Sequence, residues 1–142
     1  MASSPESAGP APFVYRRRVE FAETDMAGIV HFSMYFRYME EAEHAMWRAA
    51  GLTIAPADSA IGFPRVAAAF DFRRPLRFED AFEVRLTVTN AGARKIRYEA
   101  DLVRGDDRIA TGTMTMVCVR KAEDGSMAAA DIPPDIRTAL GI

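Results

Sequence analysis

Cysteine is almost missing from this sequence, with Cys118 the single one in 142 residues. That excludes an intramolecular disulfide and any multi-cysteine zinc site, and it predicts a reducing, cytoplasmic setting. A surplus of either charge is missing as well: 18 Lys and Arg stand against 20 Asp and Glu, for a net charge of −2. No global field is available to hold a polyanion, so nucleic acid is not expected as a partner. Histidine is scarce. His31 and His44 have no cysteine near them, so no metal site is expected and no cofactor is called for. No apolar run approaches the roughly 18 residues of a membrane span, so no membrane partner is expected. The patterns GxSxG, GxxxxGK and HExxH do not occur, which removes the serine elbow, the phosphate loop and the zinc-protease helix. The opening stretch MASSPESAGPAP has neither a basic n-region nor an apolar h-region, which predicts a disordered tail over residues 1–12 and no signal peptide.

What is there reads as one domain over residues 13–142, of ordinary size and with 49% apolar and 27% charged residues. From Phe13 the pattern alternates, with Phe13, Tyr15, Arg17, Val19 and Phe21 on one face, so a strand is predicted. The "RRR" of Arg16 to Arg18 reads as mostly a solvated strand face. After the Gly-containing stretch ETDMAGIVHFS, Ser33 stands where an N-cap would precede a helix over Met34 to Ala50. Its apolar stripe is Met34, Tyr35, Tyr38, Met39, Ala42, Met46 and Ala49. Phe36 and Trp47 lie outside the stripe, so more than one neighbour should cover the helix. Leu52 to Pro64 reads as a loop with one helical turn. Four alternating runs follow: Val66 to Phe72, Phe82 to Val88, Ile96 to Leu102, and Ile109 to Val119. The last has two largely uncharged faces and is predicted to be the central strand. A short helix is expected at Pro134 to Leu140. Strand, long helix and meander together predict an α+β fold with one antiparallel sheet of about five strands. One helix covers one face of such a sheet, so the other face or an open edge invites a second copy.

Chemistry concentrates between Glu23 and His44. Asp25 lies in a Gly-containing loop just before a buried helix, where unpaired backbone amides and the helix dipole offer positive potential. Such donors can hold a carbonyl oxygen as it becomes an oxyanion, and a carboxylate beside them can activate water or attack directly. By spacing alone, a plain turn or capping role for Asp25 stays open. Cys118 reads as a core residue and His44 as a surface or interface residue.

The stretch RVEFAETDMAGIVHFSMYFRYMEEAEHAMW, from Arg18 to Trp47, resembles the hot-dog-fold acyl-CoA thioesterases of the 4-hydroxybenzoyl-CoA thioesterase type. The elements that carry the likeness are Asp25, Gly28, Ile29, Val30, Phe32, Tyr35, Tyr38 and Glu40. The resemblance implies a hot-dog fold, a long central helix wrapped by the sheet. It implies a homodimer or a dimer of dimers with sites at the subunit interface, and acyl-CoA as substrate. Asp25 would be the nucleophile or general base, and the backbone amide near Phe32 would polarise the thioester carbonyl. Gly28, Ile29, Val30 and Tyr35 would border the substrate, with Gly28 letting the loop turn tightly. Some relatives carry a histidine seven residues after the Asp; here that place is Phe32 and the histidine is His31, which turns its side chain by about 100° on a helix. His31 could line the site, orient Asp25 or pack elsewhere. Glu40 could position water or pair within the fold. Arg94 and Lys95, at a predicted hairpin tip, offer a local cluster for coenzyme A phosphates. Two other readings stay open: a hot-dog module that binds acyl-CoA or an acyl carrier protein without cleaving it, and a hot-dog dehydratase, which would want an Asp/His pair after the helix where only Asp58 is found.

Overall fold

A computed structural model describes residues 11–142, so the tail expected over 1–12 lies outside the described residues except for Ala11 and Pro12. In chain order the elements are β1 (Phe13–Arg18), α1 (Met34–Ala49), β2 (Ile61–Gly62), β3 (Arg65–Phe72), β4 (Ala81–Ala91), β5 (Lys95–Arg104), β6 (Asp107–Val117), β7 (Val119–Lys121), β8 (Met127–Ala129) and α2 (Pro134–Leu140). A 3₁₀ turn, Phe21–Glu23, stands between β1 and α1. Five strands form one antiparallel sheet in the order β1-β4-β5-β6-β3, and β2-β7-β8 form a small second one.

The alternation of side chains decides which face of the large sheet is apolar. Val84 and Leu86 on β4, Ile96, Tyr98, Ala100 and Leu102 on β5, and Met114 and Met116 on β6 are all buried. Register places Leu86 opposite Ala100 and Tyr98 opposite Met114, which keeps these side chains on one side. Helix α1 buries Tyr35, Tyr38, Met39, Ala42 and Trp47 in the same core. Each large apolar side chain so buried contributes about 1.5 to 3 kcal/mol. A long helix wrapped by an antiparallel sheet is the hot-dog arrangement. Trp47, off the expected stripe, is anchored by donating its indole N–H to the Tyr98 hydroxyl at 3.0 Å. Ala49, placed on the stripe, is exposed.

Four local expectations change. The central strand is β5, third of five, and the run from Ile109 divides at Cys118. Neutral threonines on the outer face of β6, half-buried at Thr111, Thr113 and Thr115, made both faces look uncharged without a central position. Arg17 does not share the solvated face of Arg16 and Arg18: it points inward with Tyr15 and Val19 and keeps 15% of its side chain exposed. Phe21 leaves the strand face because β1 ends at Arg18; it is 74% exposed and meets Phe78 edge-on. The segment from Leu52 to Pro64 forms no helical turn and ends in β2, which pairs with β7.

Candidate active site

The connection from β1 to α1 is a closed loop. Thr24 and Val30 face each other as an isolated antiparallel bridge. Inside it the Asp25 amide donates to the Ile29 carbonyl at 2.9 Å, and the Gly28 amide donates to the Asp25 carbonyl at 2.9 Å. Gly28 sits at φ +79 with nothing near its missing Cβ, so the need for glycine there is conformational and not one of space. The Val30 amide donates to the Leu76 carbonyl at 2.8 Å, which fixes the loop against the segment leaving β3.

Asp25 is exposed in the single chain. Its Oδ1 accepts from the Ala27 amide at 2.9 Å, a turn-forming contact. Among the described residues Oδ2 accepts nothing, so the carboxylate shapes the turn with one oxygen and leaves the other unbonded. The helix entrance departs from a simple cap. Ser33 takes the N-cap place with helical angles and no side-chain cap bond. Its hydroxyl lies 2.8 Å from His31 Nδ1, and its amide donates to that nitrogen at 3.3 Å. The Phe32 amide finds no acceptor among the described residues.

Asp25, Ile29, Val30, Phe32 and Tyr35 line one cavity of about 450 Å³ together with Phe72, Arg73, Arg74 and Pro75. Its aromatic wall is braced from behind. Tyr35 meets Phe72 at 4.9 Å and Phe70 at 5.9 Å between ring centroids, and Phe70 meets Phe36 at 5.1 Å. Phe70 can lie there because Gly112 on β6 has no Cβ; one would stand 2.5 Å from the ring. Burial raises the Tyr35 hydroxyl above its ordinary pKa of 10.0 and keeps it protonated.

The structure therefore brings five of the expected residues together. Gly28, His31 and Glu40 do not line the cavity. His31 is exposed and its ring meets that of Phe32 at a tilt of 33°, 4.6 Å between centroids. Glu40 is half-exposed on α1, 3.8 Å from Arg65. Arg94 and Lys95 lie at the β4–β5 hairpin, away from this cavity, and Arg94 pairs with Asp131 at 3.0 Å.

Sequence reasoning missed Phe72, Arg73, Arg74 and Pro75, which the sheet delivers to Asp25 from far along the chain. It also missed two buried glutamates. Glu23 is 8% exposed and bound by Arg17 and by the Tyr38 hydroxyl at 2.9 Å. Burial pushes its carboxyl up, but hydrogen bonds from Arg17, the Glu20 amide and Tyr38 outweigh that and hold it below the ordinary 4.5. Burial and the Glu23 carboxylate together raise the Tyr38 hydroxyl. Glu43 is 0% exposed, with Arg65 as its ion-pair partner. Here burial wins and the carboxyl stays above 4.5 despite Arg65 and Tyr98. The available signals were Arg17 on an inward strand face and Glu43 four residues after Met39 on the apolar stripe, since an inward charge needs a partner.

Comparison with known proteins points one way. The thioesterase-like superfamily matches residues 19–140. A provisionally named esterase of Aquifex aeolicus is 44% identical over 78 residues, 54% of this chain and 61% of that protein, so the match spans less than two thirds of its length. The crystal structure of a 1,4-dihydroxy-2-naphthoyl-CoA thioesterase from Synechocystis superposes with a TM-score of 0.83 at 26% identity, covering 91% of this chain and 95% of that one. A gentisyl-coenzyme A thioesterase superposes with a TM-score of 0.79 at 31% identity, covering 89% and 98%.

Proposed function

As the chain belongs to the thioesterase-like superfamily and is a thioester hydrolase, we propose that it cleaves an acyl-CoA thioester to the free acid and coenzyme A, with Asp25 as the working carboxylate. One observation carries the reading: the carboxylate with an unused oxygen and the Phe32 residue whose amide lacks an acceptor border the same cavity. A thioester carbonyl between them would lean its oxygen toward the Phe32 N–H, at the positive end of α1. A donor aimed at the forming oxyanion is worth about 3 to 4 kcal/mol of barrier. Asp25 would take a proton from water as hydroxide adds to the carbonyl carbon, or add to that carbon itself and form an anhydride that water then opens. In either route the C–S bond breaks and coenzyme A leaves as a thiol after protonation.

Ile29, Val30 and Tyr35 would border the acyl group, and Gly28 would leave the loop backbone open to approach. Three rings, Phe32, Tyr35 and Phe72, favour a planar aromatic acyl group. The two named relatives act on hydroxylated aromatic thioesters, which supports the same class. The 4-hydroxybenzoyl type expected from sequence belongs to this class as one member. Arg73 and Arg74 are the cations among the residues lining the cavity and would meet acidic or hydroxyl oxygens of the ligand. The nucleotide end of coenzyme A extends beyond such a cavity, and the exposed Arg94 and Lys95 remain assigned to its phosphates. His31, bonded to Ser33, is assigned to holding the helix entrance. Glu40 is assigned to its pairing with Arg65.

The exposed edge of β3 supports a second copy as partner. Val66 is 57% exposed and Ala67, Ala68 and Ala69 beside it are exposed too, an apolar edge that proteins ordinarily pair or block. Light-scattering mass tests this, with a monomer at working concentration as the opposing result. Among the described residues no helix is long and apolar enough to cross a membrane; a cytoplasmic location remains our expectation.

The deciding experiment is thiol release across aromatic, short, branched and long acyl-CoAs. Aromatic thioesters should turn over fastest, and Asp25→Asn should lose about 10²- to 10⁴-fold in kcat while staying folded. Equal rates for Asp25→Asn and the parent protein would remove Asp25 from the mechanism. Tight acyl-CoA binding without thiol release would favour the non-catalytic binding module.

A further inference from the structure

Glu23 lies two residues before Asp25, and a carboxylate this buried is costly unless its oxygens are met by donors. They are. Oε1 accepts from Arg17 Nη1, from the Tyr38 hydroxyl and from the Glu20 amide, each at 2.9 Å, and Oε2 accepts from Arg17 Nη2. These donors come from β1, from α1 and from the turn between them. The Glu23 main-chain carbonyl accepts in addition from the His31 amide at 2.9 Å, on the far side of the Asp25 loop. A single residue thus ties both ends of the loop to the first strand and to the body of the helix. Arg17 is locked in turn: its Nε donates to Glu41 at 2.8 Å, and its guanidinium lies 4.9 Å over the Tyr38 ring. The loop's other backbone bonds run within itself, to Leu76, back to the turn through Thr24 and Phe21, and on to the first residue of α1, where the Met34 amide donates to the His31 carbonyl at 3.0 Å. Besides the His31 to Ser33 contact at the helix entrance, the Tyr38 hydroxyl joins the body of α1 to Glu23.

We propose that Glu23 is a positioning residue that sets the distance between the Asp25 carboxylate and the free amide at the entrance of α1; the inference rests on the role assigned to Asp25 above. Glu23 itself does not reach the cavity. It acts through the loop, and a displacement of about 1 Å at a reacting group can cost about a hundredfold in rate.

Two variants test this. Glu23→Gln keeps size and one acceptor oxygen but loses the charge opposite Arg17; Tyr38→Phe removes one hydroxyl and serves where the Gln variant does not fold. Each should lower kcat on the best acyl-CoA by about ten- to a hundredfold with KM within about twofold, the pattern of a lost transition-state alignment. Amide hydrogen exchange of residues 25–31 should quicken while the amides of β5 stay protected. An unchanged kcat would overturn the proposal, as would exchange that quickens equally in the loop and in β5. If the parent protein released thiol from no acyl-CoA, the hydrolysis assigned to Asp25 would fail separately. The exchange measurement would still decide whether Glu23 fixes the loop.

Discussion

Glu23 beside the Asp25 loop and Glu43 in the middle of α1 are both buried glutamates held by an arginine, and burial pushes both carboxyls up, yet the net shift is downward for Glu23 and upward for Glu43. Glu23 keeps 8% exposure and receives a fixed backbone donor, a tyrosine hydroxyl and a guanidinium on both oxygens. Glu43 has no exposure at all, and Arg65 is shared between it, Glu40 at 3.8 Å and the Met116 sulfur at 2.9 Å. A carboxylate is held ionised by how many donors it keeps after water is gone, not by the presence of one opposite charge. The donors are concentrated where β1 hands over to the Asp25 loop, and the less satisfied glutamate lies on the helix flank facing β3.

Removing the arginines should separate the two sites most widely. Arg17→Met strands Glu23 and Glu41 and should cost about 3 to 5 kcal/mol in urea unfolding at pH 7. Arg65→Met should cost less, about 1 to 3 kcal/mol, because Glu43 escapes by taking a proton. The Arg65→Met deficit should also shrink as pH is lowered, since the parent protein's Glu43 charge is then lost as well. Equal costs for the two variants, independent of pH, would erase the distinction. Smaller still, Glu43→Gln should lie within about 1 kcal/mol of the parent at pH 7, because it removes a penalised charge and keeps the shape.

The smallest effect is the acid slope. The folded carboxyl of Glu23 titrates below 4.5, so its stabilisation is fully present above that pH and is lost as pH falls through the folded value. Glu43 has the opposite sign: the folded state holds its proton more tightly, so its contribution declines as pH rises above 4.5 toward the folded value. Glu23→Gln should flatten the loss of stability below pH 4.5, and Glu43→Gln should steepen the rise in stability with pH just above it. The opposite pairing of slopes would reverse the assignments.

Much of the fold could be read residue by residue. The inward faces of β4, β5 and β6, the span of α1 and the terminal helix follow from periods of two and 3.6, which are properties of neighbouring residues. The loop could be read for the same reason, since Asp25 and Gly28 answer to local turn geometry and to the amides at a helix start. Ile29, Val30, Phe32 and Tyr35, which line the cavity with Asp25, are anticipated through the family resemblance of the stretch from Arg18 to Trp47 and not from local geometry.

The sequence by itself determined the faces, the helix and the loop that carries Asp25, because each depends on backbone angles and side-chain direction over a few residues. Only the tertiary structure decided that β5 is central, that Phe72 to Pro75 close the cavity, and that Arg94 and Lys95 stand apart from it in one chain. It alone gave Arg17 and Glu43 their partners. Those outcomes depend on which strands lie side by side and on how many donors reach a buried charge, and no local period encodes either.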